Sequence, residues 1–245
     1  MISFKTVYYE DIEPSIQDQI KNATSFEQAL DLICSDLELF RNFLNQFGFE
    51  LFSDHFHILK KHEHMIAQNS WLSMEYAKLS IQNDKPIPEI IERSFINDSS
   101  YSIYYAEVLM EYDKPVPEII EQIIAHSSYY SVRYAKLLME YDKPIPDFIE
   151  QSIEPNPDDS LSYAKLLIHF NKPVSKIIEQ SIATDSYYSY NYAKFLIERN
   201  NPVSDIIERS IAKDLYRSYD YATLLIHFNK PVPEIIKQSA ENLTK

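Results

Sequence analysis

Residues 127–146 read SSYYSVRYAKLLMEYDKPIP, and residues 156–175, 29 positions further on, read NPDDSLSYAKLLIHFNKPVS. The shared frame is a serine, then Tyr-Ala three residues later, then a proline ten residues after the tyrosine. It recurs at Tyr76, Tyr105, Tyr134, Tyr163, Tyr192 and Tyr221, always at an interval of 29 with no insertion. A fixed period of this length marks a tandem array of supersecondary units. The array runs from about residue 70 to the end, and residues 1–69 form a different module.

Each copy can be parsed from its punctuation. Seven residues before Tyr-Ala stands Asn69, Asp98, Ser127, Asn156, Asp185 or Asp214. All belong to the short list whose side-chain oxygen accepts from the free amides of a helix start. Pro157 follows Asn156 at the first-turn position that suits proline. The helix opened there carries apolar residues such as Ile103, Ala106, Leu109 and Met110 and then meets Asp113-Lys114-Pro115-Val116-Pro117. Asp or Asn at Asp84, Asp113, Asp142, Asn171, Asn200 and Asn229 tolerates the left-handed conformation that usually falls to Gly, and the next proline stops the helix. A second helix of about ten residues starts at Pro88, Pro117, Pro146, Ser175, Ser204 or Pro233, with Ile119, Ile120, Ile123 and Ile124 as its expected apolar face. Each repeat is thus a helical hairpin.

One hairpin cannot stand alone. Burying about six aliphatic side chains contributes roughly 9–18 kcal/mol, whereas ordering some 25 residues costs roughly 1–2 kcal/mol each. The hairpins therefore stack, and the Ser and Ala four residues apart, Ser102 and Ala106 for instance, supply a flat strip for the inter-hairpin or inter-repeat seam. The expected fold is all-α: an α-solenoid of six 29-residue helical hairpins over residues 70–245, spanning about 50–60 Å, behind an N-terminal helical cap module, residues 1–69. In that cap, Ser25 and Gln28 match a capping box, and Phe26, Leu30, Ile33, Leu37, Phe40, Leu44 and Phe47 step through one helix that Gly48 ends. A further helix is expected near Asp54 to Gln68. Residues 1–13 read as extended or irregular. Lys237, Ala240, Glu241 and Asn242 make the last repeat more polar, as a solvent-facing end requires.

Composition excludes several functions. One Gly in 245 residues removes the dinucleotide fingerprint, the phosphate loop and the nucleophile elbow, each of which needs two or more. A net charge of -14, from 37 acids and 23 bases, argues against nucleic acid as a partner. The single Cys34 excludes an internal disulfide and points to a reducing, cytoplasmic setting. Residues Met1 to Glu10 lack a secretory signal pattern, and no apolar run reaches the roughly 20 residues of a membrane span.

The Tyr-Ala pair, the turn proline, the Pro-Glu-Ile-Ile helix start and stretches such as Ser181-Ile182-Ala183-Thr184-Asp185-Ser186-Tyr187-Tyr188-Ser189-Tyr190 and Ser210-Ile211-Ala212-Lys213-Asp214 resemble the tandem helical repeats of bacteriophage and giant-virus proteins of unassigned function. The resemblance covers residues 70–245. It implies a viral origin, an interaction scaffold and, in that case, a host cytoplasm and a host protein partner; it carries no catalytic motif and no cofactor.

Three groups of residues are candidates for function. His55, His57, His62 and His64 are spaced by two, five, seven and nine, which does not match the three or four that two metal ligands on a helix need. They read as a solvated helix face, with a metal site or a partner contact as the alternatives. Cys34 flanks the apolar stripe, where a buried inert thiol competes with a nucleophile. His169 and His227 share a position with Glu111, Glu140 and Glu198, a solvent-facing pattern. The tyrosines weigh most. Packing between repeats accounts for the Tyr-Ala tyrosines, Tyr190 and Tyr219. Tyr101, Tyr129, Tyr130, Tyr187, Tyr188 and Tyr216, in the first turns of the long helices, suggest an exposed partner-binding ribbon, interrupted where Asp158 and Asp159 take the pair's place. Base stacking on the rings is the minor alternative.

The function expected from the sequence is a non-catalytic protein-binding scaffold. One alternative is a viral inhibitor of a host defence protein that offers carboxylates in place of phosphates. Another is a metal-dependent enzyme using the His55–His64 stretch.

Overall fold

A computed structural model describes residues 22–95 and 98–241. The expected reading of residues 1–13 lies outside the described residues. Among those described, every regular element is helical, and the fold is an all-α helical-repeat solenoid. The chain forms two compact units, Met1–Ile123 and Ile124–Lys245.

In the first unit α1 (Phe26–Cys34) packs on α2 (Leu37–Phe47) and on α3 (Phe56–Lys61). A 3₁₀ turn (Phe49–Phe52) and α4 (Glu63–Ile66) pack on the long helix α5 (Ser70–Gln82). The short α6 (Glu89–Arg93), the long α7 (Ser99–Glu111) and α8 (Glu118–Ile124) follow, and α5 stacks on both α6 and α7.

The sequence places one continuous helix where α1 and α2 stand, and the structure corrects this. The Ser35 hydroxyl donates to the Leu32 carbonyl at 2.6 Å, and Asp36 Oδ1 accepts from the Leu39 amide at 2.7 Å, so a stop and a new start fall between Cys34 and Leu37. The apolar stripe runs in phase through the break because both helices turn it to one core. The Phe40 ring meets Phe49 edge-on at 5.8 Å between ring centroids. It meets Phe52 in the same way at 5.6 Å, the arrangement that aromatic quadrupoles favour. The Ser25 cap forms at 3.1 Å to the Gln28 amide. The Gln28 side chain reaches back to Thr24 and not to Ser25, so the reciprocal half of the capping box is displaced by one residue. Gly48 ends α2 with φ +76°. The single helix expected over 54–68 is the pair α3 and α4, broken at His62.

In the second unit long helices α9 (Ser128–Glu140), α11 (Pro157–His169), α13 (Ser186–Glu198) and α15 (Leu215–His227) alternate with short α10 (Asp147–Ile153), α12 (Lys176–Ile182), α14 (Asp205–Ile211) and α16 (Glu234–Glu241). Each long helix packs on the short helix that follows it, and successive long helices pack on one another to give a long-helix layer. The short helices α12, α14 and α16 stack likewise.

Three devices repeat. The residues expected to turn left-handed all do, with φ between 50° and 58° at Asp84, Asp113, Asp142, Asn171, Asn200 and Asn229. Each closes a Schellman motif, the pairing that satisfies the last carbonyls of a helix. The Lys172 amide, for example, donates to the Leu167 carbonyl at 2.7 Å and the Asn171 amide to Ile168. Five of the six long helices have the expected side-chain cap; Ser127 makes none. The buried serines donate to the end of the preceding short helix: Ser73 to Ile66, Ser102 to Phe95, Ser160 to Ile153, Ser189 to Ile182 and Ser218 to Ile211, at 3.1–3.3 Å. The Ser strip therefore marks the seam between one hairpin and the next. Ser181 and Ser239 lock it from the other side: each shares the single hydroxyl proton of Ser160 or Ser218 with the Ile153 or Ile211 carbonyl and donates its own to the carbonyl of Glu154 or Ala212.

The short helices span five to eight residues, not ten, because the opening Pro or Ser stays extended as the N-cap and the last residues before the next cap leave the helix. One turn fewer narrows the buried face. Ile120, Ile178 and Ile236 are fully buried, while their neighbours Ile119, Ile177 and Ile235 are more than 40% exposed, so Ile119 does not share the apolar face with Ile120.

Candidate interaction surface

The six Tyr-Ala tyrosines are at most 1% exposed, as core residues. Sequence reading missed their partner. Glu63, Glu92, Glu150, Glu179 and Glu208, each thirteen residues earlier, accept from the phenols of Tyr76, Tyr105, Tyr163, Tyr192 and Tyr221 at 2.7–3.5 Å. Burial pushes the phenols up, and the adjacent carboxylates push them further. It also raises Glu92 and Glu208 above the ordinary 4.5; their tyrosines oppose the shift, and Glu89 and Asp205 add to it.

This sets a pH dependence. A carboxyl whose folded value is raised binds its proton more tightly in the folded state, so the fold gains stability as pH falls through the raised value and levels off below about 4.5. Urea unfolding at pH 7 and pH 5 should show wild type gaining on acidification and Glu92→Gln/Glu208→Gln gaining less. Equal gains would show that the two carboxyls are not responsible.

The expected ribbon residues lie in two places. Tyr101, half-buried, belongs to the first unit. The other five belong to the second. Tyr129, Tyr187 and Tyr216, each five residues before its Tyr-Ala tyrosine, are 58%, 50% and 72% exposed; Tyr130 and Tyr188, one position later, are half-buried. The rings of Tyr129 and Tyr130, and of Tyr187 and Tyr188, meet edge-on at 5.2 Å. The side chains bridge successive long helices: Ser128 donates to Asp159 at 2.5 Å, and the Arg217 guanidinium lies over the rings of Tyr187 and Tyr190 at 5.1 and 5.7 Å. Asp158 heads the charges that push the Tyr188 phenol up. The acidic pair is thus interleaved with the rings in one strip along the starts of α9, α11, α13 and α15. Tyr219, expected to pack, is instead 52% exposed; among the described residues its α15 is followed by no further long helix.

Three of the four histidines, His55, His57 and His62, lie against acids of α1. His62 Nε2 lies 2.9 Å from Asp31 Oδ1, holding that carboxyl below its ordinary value, and His55 and His57 lie 3.8 Å from Glu27. Among the described residues no group of three or more His, Cys, Asp or Glu is arranged to hold a metal. Cys34 is fully buried, and burial pushes its thiol up.

No protein-family model, curated protein or solved structure matches the chain. No helix among the described residues is long and apolar enough to cross a membrane.

A second feature escaped the sequence reading. In the first unit Trp71 and Tyr104 join Tyr101 along a groove between α5 and α7. Trp71 holds the register that Tyr129 and Tyr187 hold in later repeats, which was the available signal.

Proposed function

We propose that this chain is a non-catalytic protein-binding scaffold whose second unit contacts its partner through the tyrosines at the long-helix starts. The observation that carries the reading is the contrast within one repeat. Tyrosine at the Tyr-Ala position is wholly buried and bonded to Glu, whereas tyrosine five residues earlier is at least half exposed in three of four stacked helices. Large aromatic rings standing in solvent contribute nothing to the core, and Tyr is favoured at the anchors of protein interfaces.

The host-directed reading rests on the resemblance to viral repeats. Within the second unit the carboxylates sit at short-helix starts (Asp147, Asp205, Glu234), long-helix ends (Glu140, Glu198) and long-helix starts (Asp158, Asp159), three places on the hairpin and not one phosphate-like stripe.

A partner captured from the source cell or its host supplies the test. Tyr129→Ala/Tyr216→Ala should leave stability within about 0.5 kcal/mol per site, the range of surface changes. It should weaken the complex by about 1–2 kcal/mol or more. Unchanged affinity with unchanged stability would remove the tyrosines from the interface.

A further inference from the structure

The groove between α5 and α7 has a volume of about 390 Å³ and two kinds of wall. One is aromatic: Trp71, Tyr101 and Tyr104, the last 48% exposed. The other is acidic: Glu75, Glu107 and Glu111, against a single lysine, Lys78. Lys78 is committed to Glu75, Nζ to Oε1 at 3.1 Å, so Glu107 and Glu111 are left without an ion pair among the described residues.

These walls select their occupant. A ring presents negative charge on its face and attracts a cation within about 6 Å, most strongly for Trp. An anion entering here would meet three carboxylates. An uncharged apolar group would strip water from Glu107 and Glu111 with nothing in exchange. A guanidinium meets both demands, because it stacks flat on aromatic faces while its N–H groups pair with a carboxylate. The surplus of acid over base across the whole chain adds long-range attraction for a basic segment.

We propose that this groove is the docking site for an arginine side chain on an exposed segment of the partner protein, stacked on Trp71 and Tyr104 and paired with Glu107, with Glu111 one turn further along adding its negative charge. The proposal rests on the scaffold reading and adds the chemistry of the partner. It adds an anchor formed by residues of the first unit alone.

The protein carries its own reporter, because Trp71 is the sole tryptophan of the chain. The full chain is titrated with the peptide acetyl-Gly-Arg-Gly-Arg-Gly-amide while tryptophan emission is followed. The Arg peptide should give a saturable change. The same peptide with citrulline in place of arginine, nearly isosteric and uncharged, should give none. Glu107→Gln/Glu111→Gln should weaken the response about tenfold or more, whereas Asp205→Asn/Glu234→Gln, which removes the same two charges from the second unit, should stay within about twofold. Tyr104→Ala should weaken it as well and serves if the paired Gln variant does not fold. No saturable change, an equal response to citrulline, or an equal loss in both charge variants would overturn the site. If the site is overturned while Tyr129→Ala/Tyr216→Ala still weakens the captured complex, the scaffold reading stands without it.

Discussion

Replacing Tyr192 with Ala is expected to destabilise the protein by about 3–5 kcal/mol, the range for deleting a large buried aromatic side chain. Tyr192 is 1% exposed in the middle of α13, with its phenol on Glu179 at 3.5 Å. The deletion opens a cavity between stacked hairpins and also strands a half-buried carboxylate without its donor. Tyr192→Phe separates the two losses. It keeps the ring and removes only the hydroxyl, for an expected cost of about 1 kcal/mol. Tyr187→Ala is the internal control: it lies in the same helix, half exposed, with Arg217 over its ring. That variant should stay within about 0.5 kcal/mol of wild type. Urea unfolding of the three variants measures all of this. Similar costs for Tyr192→Ala and Tyr187→Ala would mean that the solvent-facing tyrosines are structural, and the binding strip would lose its basis.

The parts of this fold that were legible are those written in every copy. Left-handed turns could be assigned at six positions because each requires Asp or Asn before a Lys or Asn and a Pro. A requirement that recurs at the repeat period is visible even where one copy is ambiguous. The Tyr–Glu bond was equally regular, since Glu precedes each Tyr-Ala tyrosine by thirteen positions in all six copies, Glu121 and Tyr134 included. It escaped because an acid near a helix start reads first as a charge for the helix dipole. Only the packing of a short helix against the next long one turns this Glu inward.

The cap was harder because it occurs once. Nothing in the 4-3-4-3 stripe from Phe26 to Phe47 distinguishes one long helix from two that share a core. The signal was local: Ser35 and Asp36, residues that bond to nearby backbone as readily as they extend a helix. The arginine groove was hidden for a different reason. Trp71 and Tyr101 belong to successive copies of the repeat, and neither carries a motif. Their adjacency arises only when α5 and α7 stack, so the site is a product of the period and not of any segment.

The seam gives the other large effect. Ala193 is fully buried four residues after Ser189, whose hydroxyl reaches the Ile182 carbonyl at 3.1 Å and the Asp185 carbonyl at 2.8 Å. The bond to Ile182 holds the start of α13 against the end of α12, while the bond to Asp185 stays within the first turn of α13, and the seam has little freedom to widen. Ala193→Leu adds three carbon atoms to the strip. The added bulk forces side chains off their rotamers or separates the two helices, at an expected cost of about 1–3 kcal/mol. Because the same seam recurs, Ala135→Leu, also fully buried, should cost a similar amount. Ser189→Ala is the complementary change. It relieves no crowding but removes the hydroxyl, leaving a helix-end carbonyl short of a donor, and should cost about 1 kcal/mol. Chemical denaturation should therefore rank the leucine variants below the serine variant. If Ala193→Leu and Ala135→Leu unfold at the wild-type midpoint, the strip has room for a larger side chain. The close approach of successive hairpins would then depend on the Ser bonds and the buried isoleucines, and not on the small residue between them.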